Sequence, residues 1–457
     1  MREPPAPLMR ARPVPWPRHV GACLLVLATV GCHDLPTEAM GITGDASTTT
    51  DDTGSGETTV VATGSTSQGD ATGSTSQGDA TGSTSSGLGT TEESGSGSSE
   101  DTGEPLPSCG DGLVAAGELC HELGPPIAVA PAPMRIATGD LDLDGATDLV
   151  LANPNAPELQ VLYGVGDGDF VAPQLLLTAG TAVDDLALGD VTGDGSVDLV
   201  LTDDTGARVV SYANDGGGGL FFAGLYPAPL APLRITLGDV DGDGTPDLVA
   251  AGSGTASLML GNGLAGFLPV QDLALPAGPH RLGLFELDGD GVLDLLTVNG
   301  GGGNTTCFLG DGVGLGEGVD HDTAATPEGL AVGDIDEDGF ADLVVAHAAG
   351  DDVGVLLGDG SGALGAEDLR MVGDDPRAMV LADLDHDGHL DLAIAHTVPG
   401  QVALHLGVGD GTFVPGPVHV VEGAAELALA EINGDGVPDL VILRPQSSAV
   451  QVLRSAP

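Results

Sequence analysis

The chain has 457 residues, with 68 acidic side chains against 12 arginines, no lysine, and a formal charge of −56. A surface of that sign excludes nucleic acid and anionic bilayers as partners, since both require a cationic stripe, and favours cations instead. Apolar residues reach 41% but aromatics only 3%, so the core is expected to be Val, Leu, Ile and Ala; the 75 glycines point to short strands and tight turns.

Residues 1–31 have the order of a secretory signal: Arg2, Arg10, Arg12 and Arg18 precede an apolar run, VGACLLVLATV, over 20–30. That run is too short to span a bilayer, which takes roughly 20 residues. It ends in TVGC (29–32), which resembles a bacterial lipobox and implies lipidation of Cys32; ordinary cleavage releasing a soluble protein is the alternative. Residues 32–107 are dominated by Ser, Thr, Gly and Asp and carry ATGSTSQGD twice in tandem (62–70 and 71–79). Such a segment buries too little apolar surface to offset chain entropy and is expected to be a disordered linker.

Cys109 and Cys120 bracket CGDGLVAAGELC within a short unit over 108–124. An exported chain favours a disulfide between them, and the bracket resembles the Cys-rich units of myxobacterial surface proteins. Cys307 alternates with apolar residues in a strand-like run and is expected to be a buried, inert thiol.

From residue 140 onward one nine-residue pattern returns seven times. The copies are DLDLDGATD (140–148), DVTGDGSVD (190–198), DVDGDGTPD (239–247), ELDGDGVLD (286–294), DIDEDGFAD (334–342), DLDHDGHLD (383–391) and EINGDGVPD (431–439). Successive starts are 50, 49, 47, 48, 49 and 48 residues apart. Oxygen side chains at positions 1, 3, 5 and 9 are the candidate ligands of a hard cation such as Ca²⁺, which takes roughly six to eight oxygens, and the invariant Gly at position 6 permits a sharp turn.

In loop 1 the candidates are Asp140, Asp142, Asp144 and Asp148; in loop 2, Asp190, Thr192, Asp194 and Asp198. Loop 3 offers Asp239, Asp241, Asp243 and Asp247; loop 4, Glu286, Asp288, Asp290 and Asp294. Loop 5 offers Asp334, Asp336, Asp338 and Asp342; loop 6, Asp383, Asp385, Asp387 and Asp391; loop 7, Glu431, Asn433, Asp435 and Asp439. Up to seven calcium ions are implied, with loops 2 and 7 weakest because Thr192 and Asn433 are neutral. An EF-hand is excluded, because position 12 is never Glu and an apolar run of strand type follows each loop. The competing reading is a set of Asx-rich turns without metal.

One period divides into four strand-like runs, as in RITLGD (234–239), DLVAAG (247–252), SLMLGNG (257–263) and FLPVQDLALP (267–276). Four strands in about 48 residues is the unit of a β-propeller blade. The last repeat lacks its fourth run, and PPIAVAPAP (125–133) is expected to supply it and so join the termini. Over 125–457 the motif and its period resemble FG-GAP (VCBS-type) repeats of the integrin-α-like propeller. That resemblance implies an all-β, seven-bladed propeller with calcium loops on one face and ligands on the other.

The functional expectation is a monomeric, non-catalytic adhesion or protein-interaction scaffold, exported to an outer membrane or cell surface by its lipid anchor, or otherwise secreted. Its ligand would be a protein or a glycan. The alternative is a polysaccharide-directed lectin or lyase-like enzyme on the same propeller. His386 and His389 fall at non-ligand positions of loop 6 and are expected to face solvent, while His347, His396 and His405 lie in or at the ends of strands.

Overall fold

The computed structural model describes residues 121–455 apart from 178–182, 204–205, 229–231, 277 and 325. The signal, Cys32, the linker, Cys109 and Cys120 therefore lie outside the described residues. Among the described residues no helix is long and apolar enough to cross a membrane.

Seven antiparallel sheets form the blades of a ring. Their first strands are Arg135–Gly139, Leu186–Gly189, Arg234–Gly238, Arg281–Phe285, Pro327–Gly333, Pro376–Ala382 and Glu426–Ala430, which define blades 1 to 7. Each lies against the first strand of the next blade, and Glu426–Ala430 lies against Arg135–Gly139. The second strand of every blade begins at the position-9 Asp of its loop. The all-β propeller expected from the repeats is the fold observed.

The apolar runs after each loop are continuous rather than alternating because both faces of the second strand are covered. Asp148–Ala152, Asp247–Gly252 and Asp391–His396 are buried at every residue. The core is divided among the seven blade interfaces, each filled by its own cluster of Leu, Val, Ile and Ala. One cluster, for example, sets Leu188, Leu199 and Tyr212 of blade 2 against Val150 and Val161 of blade 1. The cluster that closes the ring sets Val441, Leu443 and Val452 of blade 7 against Leu149, Leu151 and Leu162 of blade 1. Exposure rises outward: the fourth strand Phe413–Val420 has no fully buried residue.

Blade 7 obtains its outer edge from the N-terminal side of the described chain. Ile127–Ala128 pairs with Ala449 and Val450, within the segment expected to do so. The edge also starts earlier than residue 125. His121–Leu123, assigned from sequence to the Cys-bracketed unit, pairs with Leu453–Ser455. The proline-rich stretch between the two pieces lacks the N–H groups that a continuous ladder requires. Thr147 Oγ1 of blade 1 also donates to the Glu431 carbonyl of blade 7 at 2.7 Å, fixing the seam.

This distribution of burial sets the expected cost of truncating a side chain. Leu453 is fully buried at the closing blade, whereas Val420 on an outer strand is 75% exposed. Leu453→Ala is expected to cost about 2–5 kcal/mol in denaturant unfolding and Val420→Ala less than about 0.5 kcal/mol; equal effects would contradict the closure described.

Candidate metal centres

Each acidic loop is the hairpin between the first and second strands of its blade, so all seven lie on one face. Position 9 is the best-defined residue of the loop. Its carboxylate is at most 1% exposed in every blade. Its Oδ2 accepts the backbone N–H of position 2 (Leu141, Val191, Val240, Leu287, Ile335, Leu384 and Ile432) at 2.7–3.1 Å. Its Oδ1 accepts a second N–H from the end of the third strand at 2.7–2.8 Å, given by Gly164, Asn214, Gly261, Gly310, Gly358, Gly407 and Ser455 in turn.

One Asp therefore ties three consecutive strands together. The approach is close enough to demand glycine in most blades: a Cβ on Gly358 or Gly407 would sit 2.2 Å from the carbonyl oxygen of Ala341 or Leu390.

The other positions divide their roles. Position 5 accepts the N–H of position 7 at 2.8–2.9 Å in all seven loops. Position 1, where it is Asp, accepts the N–H of the position-6 Gly at 2.8–3.1 Å. The longer Glu286 and Glu431 reach the N–H of position 4 instead. Position 6 has φ of +83° to +92° in loops 5 and 7 and +93° in loop 6, as its invariant Gly requires. Position 4 is also left-handed throughout; Leu143, Glu337 and His386 hold φ of 57°, 59° and 59° there despite their side chains.

What converges is a set of three carboxylates. Asp140, Asp142 and Asp148; Asp239, Asp241 and Asp247; Asp334, Asp336 and Asp342; and Asp383, Asp385 and Asp391 each bring one oxygen within 4.8 Å of the other two. These are positions 1, 3 and 9, without the position 5 expected from sequence (Asp144, Asp243, Asp338 and Asp387). In loop 4 the longer Glu286 gathers Asp288 and Asp290, and Asp294 stays outside the group.

Among the described residues loops 2 and 7 assemble no such group. There Thr192 Oγ1 donates to Asp190 at 3.4 Å and Asn433 Nδ2 donates to Asp435 at 2.9 Å, so a neutral donor stands where a third acceptor is needed. Asp194, Asp198 and Asp439 keep the backbone contacts of their counterparts.

Three of these clusters contain an acceptor that the chain itself leaves unsatisfied. Oδ1 of Asp142, Asp334 and Asp383 is buried and has no hydrogen-bond partner. Buried acceptors are ordinarily satisfied, and three oxygens facing their like have no donor to turn to. The donor set is all oxygen, which suits a hard divalent ion.

Burial, followed by the neighbouring carboxylates, raises the position-9 carboxyls against their hydrogen bonds. Asp148, Asp294, Asp342 and Asp439 are pushed up to about 6 and Asp391 to about 7. Asp198 and Asp247 move in the same direction for the same first cause.

The FG-GAP-like repeat matches residues 140–201, 190–250, 239–297, 334–394 and 383–442, each span running from one acidic loop through the next and together covering more than half of the chain. The chain belongs to the FG-GAP-like repeat family. No curated protein matches it in sequence. Its FG-GAP propeller is similar to the structure of BBS1N in complex with ARL6DN, at 15% identity over 72% of this chain and 94% of that one, with a TM-score of 0.53. It is also similar to an Agrocybe aegerita lectin described as recognising non-reducing terminal N-acetylglucosamine, at 20% identity over 72% of this chain and 86% of that one, with a TM-score of 0.49. At 15% identity the likeness to the BBS1N structure is one of fold.

Cys307 is buried, and burial followed by Asp294 pushes its thiol up to about 12. His347 is fully buried with Nδ1 2.8 Å from Asp352 and Nε2 3.1 Å from Glu367, and His396 Nδ1 lies 2.9 Å from the Asp374 carbonyl. His405 is partly buried in its strand. His386 faces solvent as expected, but His389 does not stand free: its Nδ1 meets Glu337 of the neighbouring loop 5.

The raised position-9 carboxyls set a sign for pH. Their folded values lie above the unfolded carboxylate value of about 3.9, so their contribution is fully favourable below pH about 4 and is lost as pH rises through about 6 to 7 in the ion-free chain. A cation binds the ionised form. Calcium added at pH 6 is therefore expected to release protons, seen as a buffer-dependent heat in calorimetry, and none at pH 8.5; a release that does not depend on pH would contradict this.

Proposed function

We propose that this FG-GAP propeller is a calcium-clamped, non-catalytic interaction scaffold. The observation that carries the reading is the group of buried, partnerless carboxylate oxygens on Asp142, Asp334 and Asp383, each within a cluster of three acids. A divalent ion there would supply the missing positive charge and satisfy those oxygens. Positions 1, 3 and 9 would hold it in loops 1, 3, 5 and 6, and Glu286, Asp288 and Asp290 in loop 4. The chain's own hydrogen bonds hold the hairpin, and the ion would remove the repulsion that remains.

The non-catalytic part of the reading is supported by how the reactive side chains are used. The Cys307 thiol is buried and shifted away from thiolate, and His347 is enclosed between two carboxylates. The hydroxyls of Tyr163 and Tyr226 donate to the carbonyls of Gly218 and Ala265 at 3.0 Å, so these rings serve blade packing. The N-terminal signal, the TVGC sequence at Cys32 and the polar linker support display on a tether at the cell surface, with a Cys109–Cys120 disulfide suited to that compartment.

Calorimetric titration is expected to resolve five stronger calcium sites, with loops 2 and 7 weaker. A site saturated at a hundred times its Kd adds about 2.7 kcal/mol to stability, so EDTA is expected to lower the melting temperature by many degrees. Asp336→Asn is expected to remove one strong site. No binding heat together with no EDTA shift would overturn the reading.

A further inference from the structure

The face opposite the acidic loops carries the reverse chemistry. A charged residue stands at or beside the start of the first strand in every blade: Arg135, Asp185, Arg234, Arg281, Glu328, Arg377 and Glu426. It precedes position 1 of the loop by five residues, or by six in blades 5 and 6, where a bulge after Pro327 and Pro376 inserts one. The ring around the axis therefore holds four arginines and three acids, in a chain whose formal charge is −56.

Most of these charges are paired. Glu426 lies 2.7 Å from Arg281 and accepts from its Nη2 at 3.1 Å and from Arg135 at 3.4 Å, and Arg135 also lies 3.4 Å from Asp185. Arg377 lies 3.1 Å from Asp375 and 3.8 Å from Glu328, which His280 contacts at 3.1 Å.

Arg234 differs. Its Nε and Nη1 donate to the carbonyls of His280 and Leu233 at 2.7 and 2.6 Å, and among the described residues it makes no ion pair and its Nη2 has no acceptor. Burial, then the adjacent Arg135 and Arg281, lower it to about 10, so it remains a cation at neutral pH with like charges on its flank. The four arginines, Glu328, Glu426 and His280 line an axial cavity of about 430 Å³, whose wall also includes Thr397 and Gln446, while Asp185 and Asp375 stand behind the arginines they pair with.

We propose that this axial cavity binds a small hydroxylated monocarboxylate, with Arg234 as the residue that receives the carboxylate. A cavity of this size suits a ligand of sugar-acid dimensions. Around Arg234 the three arginines Arg135, Arg234 and Arg281 face two acids, Asp185 and Glu426, so one negative charge balances the local excess, whereas a dianion would add repulsion from Glu426 and Glu328. Thr397, Gln446, Glu328 and His280 supply the donors and acceptors that hydroxyl groups need once water is displaced. The site does not use the acidic loops and stands apart from the calcium reading.

Titration of the full chain with glucuronate, glucose, acetate and sulfate, in calcium and again after chelation, tests this. Glucuronate is expected to bind at one site per chain, at least ten-fold tighter than acetate or sulfate, with glucose inert. Arg234→Gln is expected to weaken glucuronate at least ten-fold and Arg234→Lys to retain most of the affinity. Absence of glucuronate binding at millimolar concentration, or sulfate binding equally well, would overturn the proposal. So would unchanged affinity in Arg234→Gln with the parent melting temperature. Should Arg234→Gln not fold, the ligand discrimination of the parent chain and the Arg234→Lys variant decide the matter.

Discussion

The fold of each blade depends on a single carboxylate accepting two backbone N–H groups in a place where water does not reach. The position-9 Asp sits at the start of the second strand, and its two oxygens hold the turn before it and the strand after it. Hydrogen bonds to an ionised acceptor are roughly twice as strong as neutral ones, and removing that acceptor would orphan two buried donors at once. Repeated in seven blades, this contact sets the depth of every hairpin and hence the alignment of the apolar second strands. The interface clusters of Leu and Val then pack ring-wise, and aromatic residues are not needed to fill them.

The same contact creates the electrostatic problem that the loops must solve. Desolvation alone favours the protonated acid at position 9, while positions 1 and 3 bring two more carboxylates to within a few ångströms. A neutral-pH native state with all three ionised carries a repulsion that positive charge entering the cluster would relieve. Backbone N–H groups supply part of it, through position 1 in particular, and the partnerless oxygens of Asp142, Asp334 and Asp383 mark where they run out. The loop is thus a hydrogen-bonded Asx turn that also gathers three carboxylates, so the turn reading and the proposed metal reading are not exclusive.

Much of this was legible in the sequence because it is periodic. The nine-residue motif, the apolar run after it and the 47–50-residue spacing imply blades, their number and the face that carries the acids. Loops 2 and 7 are the weakest on the expectation from Thr192 and Asn433, and among the described residues these two loops assemble no three-carboxylate group. That position 5 caps the next turn in every loop was not legible, because an Asp that ligates and an Asp that caps occupy the same letter at the same spacing. The left-handed backbone at position 4 was hidden by Leu143, Glu337 and His386, residues that do not announce it. The axial charges had a signal that was missed. RIATGD, DLALGD, RITLGD, RLGLFE and ELALAE each place a charged residue five positions before the loop, a period as regular as the loops themselves. His121–Leu123 had none: three residues of mixed character become a strand only because the edge of blade 7 is open to them.

The central claim, that cations complete the carboxylate clusters that differ from one blade to the next, is tested most directly by crystallography with an anomalously scattering stand-in for calcium. Crystals grown with a lanthanide such as terbium should show strong peaks at loops 1, 3, 4, 5 and 6, bounded by the three carboxylates named for each, and weak or no peaks at loops 2 and 7. Water at all seven loops, or peaks of equal height in every loop regardless of Thr192 and Asn433, would contradict the account.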